Sequence, residues 1–244
     1  MIKQALVDGR ASLAFQPIAS MATEDLERYE VLLRVESDVR TPVTTVEFVT
    51  MAARVGLAGY VDRWVIQNAL IALVKYREKQ PNSVFFVKVC GASLNENDFF
   101  TWLKQTLEQF SPAAKRFVLQ IPEADVISYP SLVKQLILLM HEYDLQVAME
   151  HFGARSDTVR LLRALQPDYI KLDRSLTMGL QYQPQRQEDL RQILHAAQTQ
   201  GVTTMAAYVE DASGLALLWQ ARVDLLQGHF LAHPEKFPRY NITV

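Results

Sequence analysis

The sequence has 244 residues, of which 49% are hydrophobic and 21% are charged, with a net charge of −2 and a pI near 6.2. This composition excludes intrinsic disorder and a strongly basic nucleic-acid-binding surface. The single cysteine, Cys90, excludes an intrachain disulfide and a thiolate metal cluster. The longest apolar run, residues 69–74, is too short to span a bilayer. We therefore expect one cytoplasmic domain over residues 1–244, which a longer multidomain protein would carry as its C-terminal part.

Strand-like and helical segments alternate along the chain. The predicted strands are 13–18, 29–35, 84–89, 117–121, 146–150, 169–172, 202–207 and 224–226. A capping box formed by Thr44 and Glu47 predicts the start of the first helix, which ends near Gly56. The other predicted helices are 60–79, 98–110, 131–143, 158–166, 188–200 and 211–219. Residues 181–187 are polar and contain a proline, which predicts a surface loop.

The repeated strand–helix units predict a mostly parallel sheet that is covered by helices. Eight strands in a chain of 244 residues favour a closed (β/α)8 barrel of the TIM type. An open, doubly wound sheet is the alternative, but no glycine-rich phosphate loop follows the first strand. In such a barrel, functional residues lie at the carboxyl ends of the strands and in the loops that follow.

The residues at these strand ends resemble those of the EAL domain family. The block EVLLR at residues 30–34 matches the signature that gives the family its name. The blocks DRWVI at 62–66 and DYIKLD at 168–173 match further family blocks in the expected order. The resemblance implies an EAL-type barrel whose first two strands are antiparallel. It also implies a site for cyclic di-GMP, which active members hydrolyse with divalent metals.

Several positions depart from the catalytic pattern that the resemblance implies. The family has asparagine where this chain has Lys88, and glutamate where it has Gln120 and Ala207. Two adjacent aspartates of the family are replaced by Glu150 and His151. Glu30 and Lys171, in contrast, match the family pattern. Divalent cations such as Mg²⁺ require oxygen ligands, and an ammonium group repels them. We therefore expect no bound metal, no catalytic residue and no metal-dependent turnover.

Other residues suit a metal-free nucleotide site. By the resemblance, Arg34 would bind a phosphate, Asp62 would accept hydrogen bonds from guanine, and Tyr208 would stack on a base. The remaining predicted contacts with cyclic di-GMP are Gln16, Glu30, Leu32, Leu33, Lys88 and Lys171. Structural explanations stay open: Glu30 and Lys88 pair with each other, Tyr208 packs in the core, and Asp62 caps a helix or pairs with Arg63.

These residues predict a catalytically inactive cyclic di-GMP receptor that needs no cofactor and relays nucleotide binding to a protein partner. The blocks at residues 119–125 and 207–212 are most similar to members that regulate type IV pili or biofilms. Such members carry the domain after sensory and GGDEF-like modules and bind a PilZ-domain protein. Two alternatives remain: a nucleotide-independent interaction scaffold with a closed pocket, and a slow residual phosphodiesterase.

Overall fold

Eight strands close into one barrel in the computed structural model, which describes residues 2–36, 44–111, 113–155, 157–179, 183–240 and 242. The strands are β1 Ala11–Ser20, β2 Glu27–Val35, β3 Ser83–Lys88, β4 Phe117–Pro122, β5 Gln146–Phe152, β6 Tyr169–Leu172, β7 Thr203–Ala206 and β8 Leu225–Leu226. Strand β1 is antiparallel to both β2 and β8, and the other neighbouring pairs are parallel. The predicted EAL-type barrel and its antiparallel first pair are confirmed, and the open sheet is excluded.

Helices cover the outside of the barrel. They are α1 Ile2–Val7, α2 Thr45–Arg54, α3 Ala58–Arg77, α4 Gly91–Leu94, α5 Phe99–Phe110, α6 Glu123–Ser128, α7 Pro130–Glu142, α8 Thr158–Leu165, α9 Arg174–Thr177, α10 Pro184–Thr199 and α11 Ala212–Gln220. The predicted capping box is present at the start of α2, where Thr44 and Glu47 exchange hydrogen bonds. None of the helices in the described part of the chain combines the length and the hydropathy needed to cross a membrane.

The predicted loop over residues 181–187 is wrong in its second half. Helix α10 already begins at Pro184, because proline lacks an N–H and has a φ angle that suits the first turn of a helix. The proline therefore starts the helix rather than interrupting the chain. Residues 181 and 182 of the predicted loop lie outside the described residues.

The interior of the barrel is filled by a layer of apolar side chains from nearly every strand. This layer consists of Ile18, Val84, Phe86, Val118, Ala148, Tyr169, Met205 and Leu225. A second and larger apolar core lies between the outer face of the strands and the helices. Since side chains alternate along a strand, residues two positions from this layer also face inward.

That alternation builds a polar layer directly above the apolar one. On β2 to β6, the inward side chains of this layer are Glu30, Lys88, Gln120, Glu150 and Lys171, and Ala207 and Gln227 directly follow β7 and β8. Gln16 joins them from the antiparallel β1, where it lies opposite Glu30 in the register. The fold therefore collects these side chains at the mouth of the barrel, although they are far apart in sequence.

Candidate functional site

Four charged side chains form the centre of the mouth. Lys88 Nζ lies 3.3 Å from Glu30 Oε1 and 3.1 Å from Glu150 Oε1. Lys171 Nζ lies 2.7 Å from Glu30 Oε2 and 3.6 Å from Glu150 Oε1. We call Glu30, Lys88, Glu150 and Lys171 the charge quartet; its two carboxylates and two ammonium groups sum to no net charge.

Burial and pairing determine the ionisation of the quartet. Burial acts to raise the pKa of Glu30, but Lys171 and Lys88 outweigh it and hold that pKa well below its usual range. Burial acts to lower the pKa of Lys88, and the carboxylates of Glu30 and Glu150 instead raise it. Glu30 and Lys88 are therefore ionised at neutral pH. Lys88 is the outermost member of the quartet, with 49% of its side chain exposed, whereas Lys171 is only 9% exposed.

Amide side chains complete the polar layer. Gln227 Nε2 donates to Glu30 Oε2 at 2.5 Å and to Gln16 Oε1 at 2.9 Å, and Gln16 Nε2 donates to the Ala232 carbonyl at 3.1 Å. Gln120 differs from these residues because it is fully buried and both polar atoms of its amide lack a hydrogen-bond partner among the described residues. It occupies a position next to Lys88 in the strand register.

A cavity of about 240 Å³ opens above the quartet. Of the residues that the sequence predicts as ligand contacts, it is lined by Gln16, Glu30, Leu32, Lys88, Lys171 and Tyr208. It is also lined by residues that the prediction did not include, namely Glu150, His151, Leu172, Ala207, Glu210, Gln227, Gly228 and His229. The period-2 pattern that places Lys88 inward also places Glu150 and Gln227 inward, so this signal was present in the sequence.

Leu33 and Arg34 do not line this cavity. Leu33 is buried in the outer core, because its side chain alternates with those of Leu32 and Arg34. Arg34 shares the inward face of β2 with Glu30 and Leu32 but lies beyond them at the rim, where it is exposed. Its guanidinium donates to the Leu33 carbonyl at 3.2 Å.

Asp62 lies outside the cavity and is buried. Its Oδ2 accepts hydrogen bonds from the Cys90 N–H at 2.7 Å and from the Ser93 hydroxyl at 2.6 Å, which fixes the start of α4. Burial raises the pKa of Asp62 to about 7, although both hydrogen bonds act in the opposite direction. Arg63 pairs instead with Glu96.

Two residues at the mouth have a backbone conformation that side chains other than glycine rarely adopt. His151 has a φ of 54° and Tyr208 a φ of 62°. The His151 ring nitrogen Nδ1 lies 3.3 Å from Asp173 Oδ2, and the Arg174 guanidinium lies over the Tyr208 ring. Since strained residues concentrate at functional sites, this side of the mouth is a candidate contact surface for a ligand.

The fold and this mouth define a TIM-type barrel protein with a polar site at the carboxyl end of its strands. The family model for the EAL domain matches residues 1–234. The chain therefore belongs to the EAL domain family.

Solved structures agree with this assignment. The FimX EAL domain from Pseudomonas aeruginosa, in a structure bound to c-di-GMP, is 33% identical with a TM-score of 0.90, and the alignment covers 99% of this chain and 98% of that one. The FimX EAL domain of Xanthomonas citri, in complex with c-diGMP, is 27% identical with a TM-score of 0.87, covering 99% and 94% of the two chains.

Curated relatives include a protein named cyclic di-GMP phosphodiesterase PdeR from Escherichia coli K12, which is 26% identical over 233 residues. That alignment covers 96% of this chain and 35% of the relative. The chain spans about a third of the length of the first curated relatives that it matches.

The donor set at the mouth does not fit a pair of divalent metal ions. The carboxylates of Glu30 and Glu150 are the acidic ligands of the polar layer, and each contacts the ammonium groups of the quartet. Among the residues that the structure describes, no three or more His, Cys, Asp or Glu side chains form a group suited to a metal. A divalent ion between the two carboxylates would lie close to Lys88, whose positive charge repels it.

Proposed function

We propose that this chain is a catalytically inactive EAL domain that binds cyclic di-GMP without metal ions. The observation that carries the proposal is the position of Lys88, whose ammonium bridges the carboxylates of Glu30 and Glu150. Phosphodiester hydrolysis by two metals needs carboxylates that are free to hold both ions. Here these carboxylates are neutralised within the protein. The likeness to FimX EAL domains bound to c-di-GMP supports the choice of ligand.

The electrostatics of the mouth suit an anionic ligand better than a cation. The quartet is neutral as a whole, and its outermost group is the half-exposed Lys88. A phosphate that approaches the quartet therefore meets an ammonium first, and the exposed carboxylate of Glu210 lies elsewhere on the lining of the cavity. Arg34 lies at the rim on the same face of β2, and its planar guanidinium can bind two phosphate oxygens at once.

The bases of the nucleotide would contact the cavity wall. Tyr208 is 47% exposed and lines the cavity, so its ring is accessible for stacking, which contributes about 1–3 kcal/mol per base. Gln16 on β1 and Leu32 on β2 supply a polar and an apolar contact to the same cavity. Asp62 uses Oδ2 for its bonds with Cys90 and Ser93, so guanine would be bound mainly through Oδ1.

Isothermal titration with cyclic di-GMP, in the presence and absence of EDTA, tests this function. We expect micromolar or tighter binding that EDTA leaves unchanged and that Arg34→Ala weakens. Lys115→Ala is the matched control, because Lys115 and Asp144 form an exposed pair just before the amino ends of β4 and β5, at the opposite end of these strands from the mouth. Absence of both a heat signal and a thermal shift with the nucleotide would refute nucleotide binding.

We propose that the domain relays nucleotide binding to a PilZ-domain or other regulatory protein in the cytoplasm, in type IV pilus or biofilm control. Upstream sensory or GGDEF-like modules are part of the same proposal, since the chain spans only about a third of its curated relatives. A pull-down with a PilZ-domain protein, with and without cyclic di-GMP, tests the relay. Capture that ignores the nucleotide would instead favour an interaction scaffold.

The small cavity, about 240 Å³, and the internally paired quartet are the observations that favour the scaffold as a second candidate. A slow residual phosphodiesterase is the remaining alternative. It requires linear product to appear with Mg²⁺ or Mn²⁺ and to disappear in Glu30→Ala.

A further inference from the structure

The loop after β6 holds both strained residues at the mouth. Asp173 contacts the ring of His151, and the next residue, Arg174, places its guanidinium over Tyr208 at 5.5 Å from the ring centroid. His151 lies near the end of β5 and Tyr208 in the loop after β7, and these two strands flank β6 in the barrel. One dipeptide therefore fixes a rim of four side chains, which we call the β6 rim: His151, Asp173, Arg174 and Tyr208.

Arg174 is the member of the β6 rim whose hydrogen-bond donors are available to a ligand. It is exposed, and within the described part of the chain its guanidinium forms no ion pair. The neighbouring carboxylate of Asp173 does not neutralise it, because that group accepts from the Ser175 N–H at 2.9 Å and contacts His151. The guanidinium lies on the Tyr208 ring, an arrangement that orients its donors beside the cavity that Tyr208 lines.

The size of the cavity implies that part of a dinucleotide lies on this rim. Its volume of about 240 Å³ is below the roughly 300–1,000 Å³ of most ligand pockets. A ligand with two purine bases therefore cannot be enclosed, and one base has to lie near the surface. The β6 rim offers that base a forked donor, Arg174, whose guanidinium is supported by the Tyr208 ring on which it lies.

We propose that Arg174 selects guanine at this outer position of the cyclic di-GMP site, an inference that rests on the proposed function. Guanine presents two acceptors, O6 and N7, to which a guanidinium donates two parallel hydrogen bonds. Adenine presents an amino donor beside N7, so its edge would oppose the donors of Arg174. The same arginine therefore favours one purine and disfavours the other.

Titration of the wild type and of Arg174→Ala with cyclic di-GMP and with cyclic di-AMP tests the proposal. We expect the substitution to weaken cyclic di-GMP binding by about tenfold to a hundredfold, the range for one bidentate base contact. Binding of cyclic di-AMP should change much less, so the preference for guanine falls. Arg174→Lys should keep only part of this preference, because lysine retains a charged donor but lacks the planar fork.

Arg191→Ala is the matched control, since Arg191 is an exposed arginine on α10 that pairs with Glu188. If Arg174→Ala weakens the binding of both nucleotides equally, Arg174 supplies charge alone, and guanine selection is overturned. If Arg174→Ala still binds cyclic di-GMP and leaves the ratio of the affinities for cyclic di-GMP and cyclic di-AMP unchanged, only this inference is overturned. A wild type that binds neither nucleotide would overturn the proposed function together with it.

Discussion

Replacing Lys88 by methionine tests whether its charge holds the mouth together. Methionine keeps an unbranched side chain of similar length and removes the ammonium that contacts Glu30 and Glu150. At 3.1–3.3 Å and an effective dielectric constant of 20, each contact corresponds to about 5 kcal/mol of Coulomb attraction. Water at the half-exposed Lys88 screens this attraction, and the substitution also removes the cost of partly desolvating the ammonium.

Breaking a fully buried pair costs about 3–5 kcal/mol, and an exposed pair contributes about 0–1 kcal/mol. Lys88 lies between these cases because its carboxylate partners are buried and it is not. We expect Lys88→Met to lower the free energy of unfolding by about 1–3 kcal/mol at neutral pH. Urea denaturation followed by tryptophan fluorescence measures this difference. Lys115→Met, which removes an exposed partner of Asp144, should cost less than about 1 kcal/mol.

The pH dependence separates charge from packing. Lys171 and Lys88 lower the pKa of Glu30 in the folded state, so this carboxyl stabilises the fold above its unfolded pKa of about 4.3. That contribution is lost as the pH falls toward the folded pKa. The difference between the wild type and Lys88→Met should therefore narrow as the pH falls through the folded-state pKa of Glu30 in the variant, which lies above that of the wild type because one ammonium is missing. A difference that is the same at neutral and acidic pH, or no larger than that of Lys115→Met, would refute an electrostatic role for Lys88.

The remaining predictions concern single side chains around the site, each measured as a change in unfolding free energy. Tyr208→Gly should be more stable than Tyr208→Ala by about 1 kcal/mol, because only glycine adopts the left-handed conformation without strain; equal stability would contradict that strain. Gln120→Met should stabilise the fold by about 1 kcal/mol by removing an unpartnered buried amide, whereas Gln227→Met should destabilise it because Glu30 loses a donor. The raised pKa of Asp62 contributes stability that is fully present below its unfolded pKa of about 3.9 and is lost as the pH rises through about 7. Asp62→Asn should therefore gain stability relative to the wild type across that interval. A difference in unfolding free energy between the two proteins that does not change with pH would contradict the raised pKa.

The barrel follows from the sequence because its signals are local and repeated. Each strand is a short apolar run, and each following helix has its own start or stop signal, such as the capping box of Thr44 and Glu47. The short helices α4, α6 and α9 carry no such periodicity, since they span at most six residues each. The start of α4 depends on a tertiary contact, the bond from Cys90 N–H to Asp62, whereas the start of α9 is capped locally by Asp173.

The sequence predicts which side chains point into the centre of the site, because side chains alternate between the two faces of a strand. It places Glu30, Lys88 and Lys171 in the barrel, and the same rule places Leu33 outside. Alternation does not determine how the charges pair. That Glu150 on β5 contacts both Lys171 on the adjacent β6 and Lys88 on the non-adjacent β3 depends on strand register and on side-chain rotamers, which no local pattern encodes.

The pairing of the quartet also determines where affinity for a doubly charged nucleotide would come from. Lys88 and Lys171 each face a carboxylate, so the interior of the mouth contributes little net positive potential. Attraction of two phosphates then depends on arginines at the rim, where Arg34 and Arg174 are both exposed. Neither arginine forms an ion pair within the residues that the structure describes. Because the charges of the quartet compensate one another, binding of a nucleotide phosphate would depend more on the arginines at the rim than on the lysines at the centre of the mouth.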